Sequence, residues 1–509
     1  MLKSFWYISP TRIGLQAPEL DIKFLAAALT YTDPAVDGEL KRLKKNRYFI
    51  QKYGYEVFAA KVEELKAKLK ICLLERRGAH YETMSGFAAR LARLGYRCDR
   101  EEAQDDDRLP WVLQRKPNAA RYYQTEACDA MKAATIGGFY DLDKGYHPIY
   151  NAAISMPTGA GKSWIIEEMA RYYGKKTIIM APSVSIAEQL YDQAIAAFGP
   201  KRVGLYGDGK KQSDKQIVIG IAASLTRAEG KHLEALKKCQ VFIADESHLC
   251  PASTFEKVCT TVAADAEKRF FVSATQMRND GTEILLEGIT GPVVYKKTLR
   301  ELVDEGFLAR PRFFTVATTS PSSFWNGDWQ DTANLHLWGN PVLHAKAAAI
   351  ANRMVDIGKG PVLILVDHTA QFQHLIGGLR HEVGFAHGPL TAESKKEVQA
   401  EFQVVDNKAL VGKFNDGELP ILVGTSCITT GTDLRPTGTI LYLMSGESEI
   451  KVRQCIGRDT RKVPGKEDFI FIDFDIEVPG VEERANSLHR HFLQRCEYYD
   501  IGDVKKLPL

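Results

Sequence analysis

In Val241-Phe-Ile-Ala-Asp-Glu-Ser-His-Leu-Cys250 four apolar residues run straight into Asp245, Glu246, Ser247 and His248. An acid pair, a hydroxyl and an imidazole in four positions suit three chemistries: metal binding, acyl transfer, or one half of a nucleotide-hydrolysing site. A metal helix site needs a second histidine one turn from the first, and none stands at that spacing from His248. A serine nucleophile needs a sharp turn such as GxSxG, which is absent, and a triad is assembled from distant segments. The nucleotide reading needs a partner sequence elsewhere. Ile154-Ser-Met-Pro-Thr-Gly-Ala-Gly-Lys-Ser163 supplies it. Here Thr158, Gly159, Ala160 and Gly161 form a small-residue turn whose backbone N–H groups can approach phosphates at a helix start. Lys162 reaches the β- and γ-phosphates and Ser163 ligates Mg²⁺. Asp245 is then the second Mg²⁺ ligand, Glu246 orients or deprotonates the attacking water, and Ser247 is a spacer. The first glycine of the usual GxxxxGK[ST] pattern is Met156, a variant position at the strand end.

These residues must be held at strand ends, and the chain supplies suitable strands. NAAISM, KTIIMAP, QIVIGIA, VFIADE and RFFVSAT alternate with helical patterns, and WIIEEMARYY is the helix that the phosphate loop opens. The same rhythm returns with PVLILVDH, LPILVGTS, TGTILYLMS and DFIFIDF. Runs this apolar with helices between them indicate parallel strands buried on both faces. Two blocks in tandem predict two doubly wound α/β domains, joined near residues 301–313. In the second block Gln454-Cys-Ile-Gly-Arg458-Asp-Thr-Arg461 carries two arginines three apart, which on one helix share a face. Gln454, Arg458 and Arg461 are the catalytic candidates there, with the arginines suited to stabilising charge on a transferring phosphoryl group.

At 509 residues the chain has room for several domains, with 45% apolar and 26% charged residues. A net charge of +3 favours no class of partner, so any binding surface must come from local clustering. Between Lys41 and Arg77 twelve Lys/Arg face four Asp/Glu, and that is such a cluster. The nine cysteines show no CxxC pair, which fits a reducing compartment and argues against structural zinc. No run reaches membrane-spanning length and the N-terminus lacks a signal-peptide pattern, so a soluble intracellular protein is expected.

MPTGAGKS, ADESH and VSAT, in that order, resemble motifs I, II and III of the superfamily 2 helicases. Gln454 to Arg461 is similar to the QxxGRxxR form of motif VI. The likeness spans about residues 119–475 and implies α/β architecture: two tandem RecA-like parallel-sheet domains, plus a small N-terminal α/β domain. The domains expected are 1–112 (accessory, DNA-binding), 113–308 (first motor domain), 309–480 (second motor domain) and 481–509 (helical extension). By resemblance, Arg121, Tyr123 and Gln124 form the adenine-recognising Q motif, and Gly431 and Asp433 of motif V border the nucleotide. His248, Ser273 and Thr275 couple hydrolysis to movement. Pro182 and Ser183 (motif Ia), Ser224, His368 (motif IV) and Thr425 (motif V) contact the nucleic-acid backbone. The strand-end segments among these also read as plain turns, and His368 equally as a structural turn residue. ATP and Mg²⁺ are the implied cofactors.

KEDFIFIDFDIEVPG, the helix that follows it and KKTLRELVDEGFLARPRF resemble the UvsW-like branch of the superfamily, related to XPB-like and RecG-like motors. That likeness implies a helicase that unwinds, anneals or branch-migrates forked DNA and Holliday junctions. It further implies replication, recombination and repair proteins as associates, and the cytoplasm (the host's, for a phage-encoded protein) as location. On charge, Lys41, Arg42, Lys44, Lys45, Arg47, Arg76 and Arg77 are DNA-contact candidates, with a solvated helix face as the alternative. Trp325, Trp329 and Trp338 read as aromatics that pack a loop, with base stacking as the other possibility. Two other functions stay open: an RNA helicase, and the motor subunit of a restriction or defence complex.

Overall fold

The computed structural model describes residues 3–98, 111, 113, 119–136, 139–141, 145–147, 149–276, 281–388, 390, 395, 398–403, 406–425, 428, 434, 438–458, 460, 462, 467–499 and 504–507. Met1–Met156 with Gly161–Lys296 form one compact unit, and Pro157–Ala160 with Lys297–Leu509 a second.

The larger sheet of the first unit has eight strands. Their order is Lys210–Lys211, Val203–Gly207, Ile217–Ile221, Thr177–Ala181, Val241–Asp245, Lys268–Ser273, Asn151–Ser155, Val293–Lys296. Every neighbouring pair is parallel except the first. The five central runs expected from the sequence are all here, and all their strand residues but Asp245 and Lys268 are buried, as crossover helices on both faces require. Register decides where the chemistry lies. Ser155 pairs with Ser273, and Asp245 with Val272, so three strands finish at one edge of the sheet. Open α/β sheets bind ligands outside that carboxyl edge.

The N-terminal part of this unit has its own five-stranded sheet, ordered Glu75–Arg77, His80–Met84, Arg12–Gln16, Ser4–Ser9, Arg97–Cys98. A ribbon of Thr30–Thr32 and Lys70–Cys72 stands apart from it, and the helices Pro34–Lys45, Arg47–Tyr53 and Tyr55–Lys68 fill the loop between its strands.

This part is fastened to the larger sheet by close packing and buried polar groups. Gly86 lies so near the carbonyls of Glu287 and Gly288 that a Cβ there would collide with backbone. Ser85 Oγ donates to Pro10 O (2.6 Å) and accepts from Asn151 Nδ2 (2.8 Å). Asn151 Oδ1 accepts in turn from Nε of the buried Arg269 (2.7 Å). Arg90 Nε donates to Glu287 Oε1 (3.0 Å), and Tyr7 meets Tyr150 edge to face at 4.7 Å.

The second unit holds a seven-stranded parallel sheet. Its order is Val383–Ala386, Ile421–Gly424, Val362–Val366, Thr439–Leu443, Asp468–Glu477, Arg310–Thr319, Lys505–Lys506. Helix Ser487–Glu497 is pinned to this sheet by a buried ion pair. Arg495 Nε and Nη2 donate to Asp473 Oδ2 and Oδ1 at 2.8 and 2.9 Å, and Tyr499 Oη donates to the same carboxylate at 2.6 Å. The fold is therefore α/β, with two tandem doubly wound, mainly parallel sheets and a small N-terminal α/β part. The linker expected near residues 100–110 lies outside the described residues.

Candidate nucleotide site and its couplings

The phosphate loop joins strand Asn151–Ser155 to helix Lys162–Tyr173. Gly159 and Gly161 hold φ of 86° and 84°, in the left-handed region that costs glycine nothing. At Gly161 a side chain would also collide with the Gln124 amide. Met156 N donates to Ser273 O (2.9 Å) and Met156 O accepts from Lys162 Nζ (3.3 Å), so this variant position belongs to the strand end. Its side chain is buried and takes no part in the turn. Thr158 and Ala160 complete the loop, and Ser163 follows Lys162 at the helix start, where N–H groups face outward.

Gln124 is buried and bridges to this loop. Its Oε1 accepts from Arg121 N (2.9 Å), and its Nε2 donates to Gly161 O at 3.4 Å. Tyr123 needs a correction. It is fully buried and its Oη accepts from Arg121 Nη1 (2.8 Å), so it offers no open face for a base; its neighbour Tyr122 is 45% exposed.

Asp245 ends its strand half-buried. Its carboxyl is pushed up to about 7, first by burial and then by the charge of Glu246, with Lys162 pulling the other way. Glu246 sits at φ 49°, ψ 48°, the left-handed region again, which costs a residue with a Cβ roughly 1–2 kcal/mol. Strain of this kind collects at functional sites. His248 is buried, its Nδ1 2.8 Å from Ser273 Oγ and 3.4 Å from Glu246 Oε2. Ser273 Oγ also accepts from Thr275 N (3.3 Å).

One residue at this edge carries no signal in the sequence. Gln276 Nε2 donates to Ser247 Oγ (2.8 Å) and Ile154 O (3.1 Å), tying the acidic strand end to the strand of the phosphate loop. Ser247, read as a spacer, is fully buried and accepts that bond. A polar residue after VSAT looks like any strand-end turn, so only the fold reveals the contact.

The residues fit a magnesium nucleotide. Two left-handed glycines open a helix start, the Asp245 carboxyl is raised first by burial and then by Glu246, a pairing that a cation would relieve, and the hydroxyls of Thr158 and Thr275 are buried without a hydrogen-bond partner among the described residues. Ser163 and Asp245 would hold the cation, which when bound neutralises phosphate charge.

In the second unit, Gln454 is buried in helix Glu449–Arg458. That helix is described as far as Arg458, and the expected shared face with Arg461 lies outside the described residues. Past it, Thr460 Oγ1 donates to Gly457 O (3.0 Å), and Thr460 O accepts from Ala309 N (2.7 Å). The side chain of Arg458, and Arg461, Gly431 and Asp433 entirely, lie outside the described residues.

Among the backbone-contact candidates, Ser183 caps helix Val184–Phe198, with Oγ accepting from Ile186 N, and Pro182 precedes it. Ser224 lies in the short helix Ala222–Leu225, and Thr425 N donates to Ala386 O (3.1 Å). His368 stacks on Trp338 at 5.2 Å and accepts from Ala370 N (3.2 Å), a turn-building role. Trp329 and Trp338 pack against the core of the second unit, and Trp325 lies 5.9 Å from the buried His336. In the N-terminal part Lys41 pairs with Asp37 and Arg77 with Glu75, whereas Arg42, Lys44, Lys45 and Arg76 are exposed. The side chain of Arg47 lies outside the described residues. Among those residues no helix is long and apolar enough to cross a membrane.

Residues 118–278 match the family described as type III restriction enzyme, res subunit. The chain is 28% identical over 395 residues to the protein named DNA 3'-5' translocase XPB2 of Sulfurisphaera tokodaii, covering 70% of this chain and 82% of that one. It is 19% identical over 392 residues to the ATP-dependent DNA helicase uvsW of Enterobacteria phage T4, covering 71% and 74%. The structure of Saccharomyces cerevisiae Dbp5 bound to RNA and ADP BeF3 matches at a TM-score of 0.50 and 14% identity, over 76% of this chain and 89% of that one, a likeness of fold. With motifs I, II and III brought to one sheet edge in the required order, these similarities place the chain in superfamily 2 of the helicases.

Proposed function

We propose that this chain is a magnesium- and ATP-dependent motor that translocates on DNA and remodels branched substrates such as forks and four-way junctions. The observation that carries the motor reading is the joint edge of three strands. Ser155 leads into the phosphate loop, Asp245 and Glu246 stand across from it, and Ser273 touches His248. Lys162 and the loop N–H groups bind phosphates, Ser163 and Asp245 hold the cation, and Glu246 takes the proton of the attacking water. His248 passes the state of Glu246 to Ser273 and Thr275. Arg458 and Arg461 stabilise the transferring phosphoryl group, and Gln454 supports them.

Preference for DNA is supported by the likeness to relatives named as DNA translocases and helicases. Preference for branched DNA is supported by the basic N-terminal helices, which would add a second grip beside the motor. Replication and recombination proteins are the associates this activity would need, in the cytoplasm. A second reading, the motor subunit of a restriction complex, is favoured by the family matched at residues 118–278.

The test is ATP turnover measured side by side with single-stranded DNA, duplex, fork, four-way junction and RNA, followed by unwinding of the best substrate. Strongest stimulation by fork or junction is expected. Equal stimulation by RNA, or stimulation by duplex alone with no strand displacement, would sink the branched-DNA reading and favour the alternatives.

A further inference from the structure

Helix Arg47–Tyr53 is the tip of the helical excursion between the ribbon strands Thr30–Thr32 and Lys70–Cys72. Among the described residues the core of the excursion is three buried side chains, Leu40, Val62 and Leu65, and the tip helix contributes none of them. Around this tip three tyrosines stand in solvent: Tyr48 is 66% exposed, Tyr53 50% and Tyr55 70%. Seven-residue helices are marginal in water. Tyr53 meets Phe49 at 4.9 Å and Tyr55 meets Phe58 at 6.0 Å, yet half or more of each tyrosine stays uncovered.

Charge identifies what would cover them. Residues 44–57 contain four cations (Lys44, Lys45, Arg47 and Lys52) and one carboxylate, Glu56. Lys44, Lys45 and Lys52 are exposed and make no ion pair among the described residues, whereas Lys61, Lys66 and Lys68 on the next helix are each paired with glutamate. Lys52 Nζ lies 5.0 Å from the centre of the Tyr53 ring. Flat rings interleaved with unpaired lysines match a polyanion that carries its own flat rings. Duplex DNA hides its bases in the stack, whereas a single strand offers them to aromatic side chains.

We infer that Tyr48, Tyr53 and Tyr55 form a stacking platform for unpaired bases, with Lys44, Lys45 and Lys52 holding the phosphates between them. This rests on the proposed DNA motor and specifies its substrate there: the accessory part holds single-stranded DNA, leaving duplex to other surfaces. Asn46, whose side chain accepts from Phe49 N, and Gly54, at φ 85°, mark the two ends of the tip helix.

The test uses the full chain and two fluorescent probes at one salt concentration, an unstructured oligothymidylate and a blunt duplex of equal length. Replacing all three tyrosines (Tyr48→Ala, Tyr53→Ala, Tyr55→Ala) should weaken oligothymidylate binding by about tenfold or more while duplex affinity moves less than about twofold. The corresponding Tyr→Phe triple variant should restore binding, because stacking needs the ring and not the hydroxyl. The triple variant Lys44→Gln, Lys45→Gln, Lys52→Gln should lower the salt dependence of oligothymidylate binding by about two in log–log slope. Equal losses on both probes, or a Phe variant as weak as the Ala variant, would overturn the platform. So would unchanged oligothymidylate affinity in the Ala variant with DNA-stimulated ATP turnover intact, and that result leaves the motor standing. Absence of DNA-stimulated turnover in the unaltered chain would sink the motor, and with it this inference.

Discussion

His248 Nδ1 and Ser273 Oγ are hydrogen-bonded at 2.8 Å inside the sheet edge, and the same imidazole nitrogen lies 3.4 Å from Glu246 Oε2. One side chain thus touches both the residue assigned to water activation and the strand end assigned to movement. Substituting His248→Ala should leave nucleotide affinity within about twofold while DNA-stimulated turnover and unwinding fall about tenfold or more, as loss of a coupling contact predicts. Ser273→Ala should give the same pattern. Nucleotide binding lost in step with unwinding would count against a coupling role and for a structural one.

Glu246 allows chemistry and conformation to be separated. Glu246→Gln keeps the shape but not the base, so ATP turnover should fall by about a hundredfold or more with nucleotide still bound. Glu246→Gly should be as inactive yet more stable, because glycine removes the cost of φ 49°. The expected gain is about 1 kcal/mol, or roughly 2 °C in Tm. Calorimetry on the two variants checks this; a lower Tm for the glycine variant would show that the carboxylate contributes more to folding than its backbone costs.

His344 gives the second unit a defined acid sensitivity. It is fully buried, and burial first, with the neighbouring His374 adding, holds its pKa down at about 4 against an ordinary 6.5. The unfolded chain therefore binds a proton between pH 6.5 and 4 that the folded chain refuses. Stability is full above 6.5 and is lost as pH falls toward 4, with a ceiling of about 3 kcal/mol at 1.36 kcal/mol per unit. Denaturant midpoints across that window should slope less in His344→Leu than in the unaltered chain. His336 and His491, also depressed by burial, would supply the slope that remains. An unaltered slope in the variant would remove His344 from the account.

Gly86 tests the seam inside the first unit. Gly86→Val drives a side chain into the carbonyls of Glu287 and Gly288, which are backbone and cannot rotate away. A loss of about 1–3 kcal/mol is expected, since overpacking of this order costs that much. Limited proteolysis should release the N-terminal part sooner than in the unaltered chain. A variant of undiminished stability and protease resistance would mean that the seam opens without cost.

Much of this was legible because the chemistry sits where local rules are strong. A glycine-rich turn between an apolar strand and a helix needs no tertiary information, and VFIADESH announces a buried strand ending in charge. The bonds of Thr460 to Gly457 and Ala309 were not legible, because the second joins segments about 150 residues apart. Gln276 and Ser247 were silent for a related reason, since their bond joins segments that are distant in sequence and carry no periodicity. Tyr123 and Tyr122 are adjacent, and which of them is buried depends on packing that the pair does not encode.

The chain of contacts Pro10–Ser85–Asn151–Arg269 has a mechanical consequence. Asn151 is the first residue of the strand that ends at the phosphate loop, so the N-terminal part is bolted to the base of that strand. The N-terminal part and that strand therefore belong to one compact unit, joined through buried polar groups. A load taken up by the N-terminal part would reach Asn151, and through it the strand that runs into the phosphate loop.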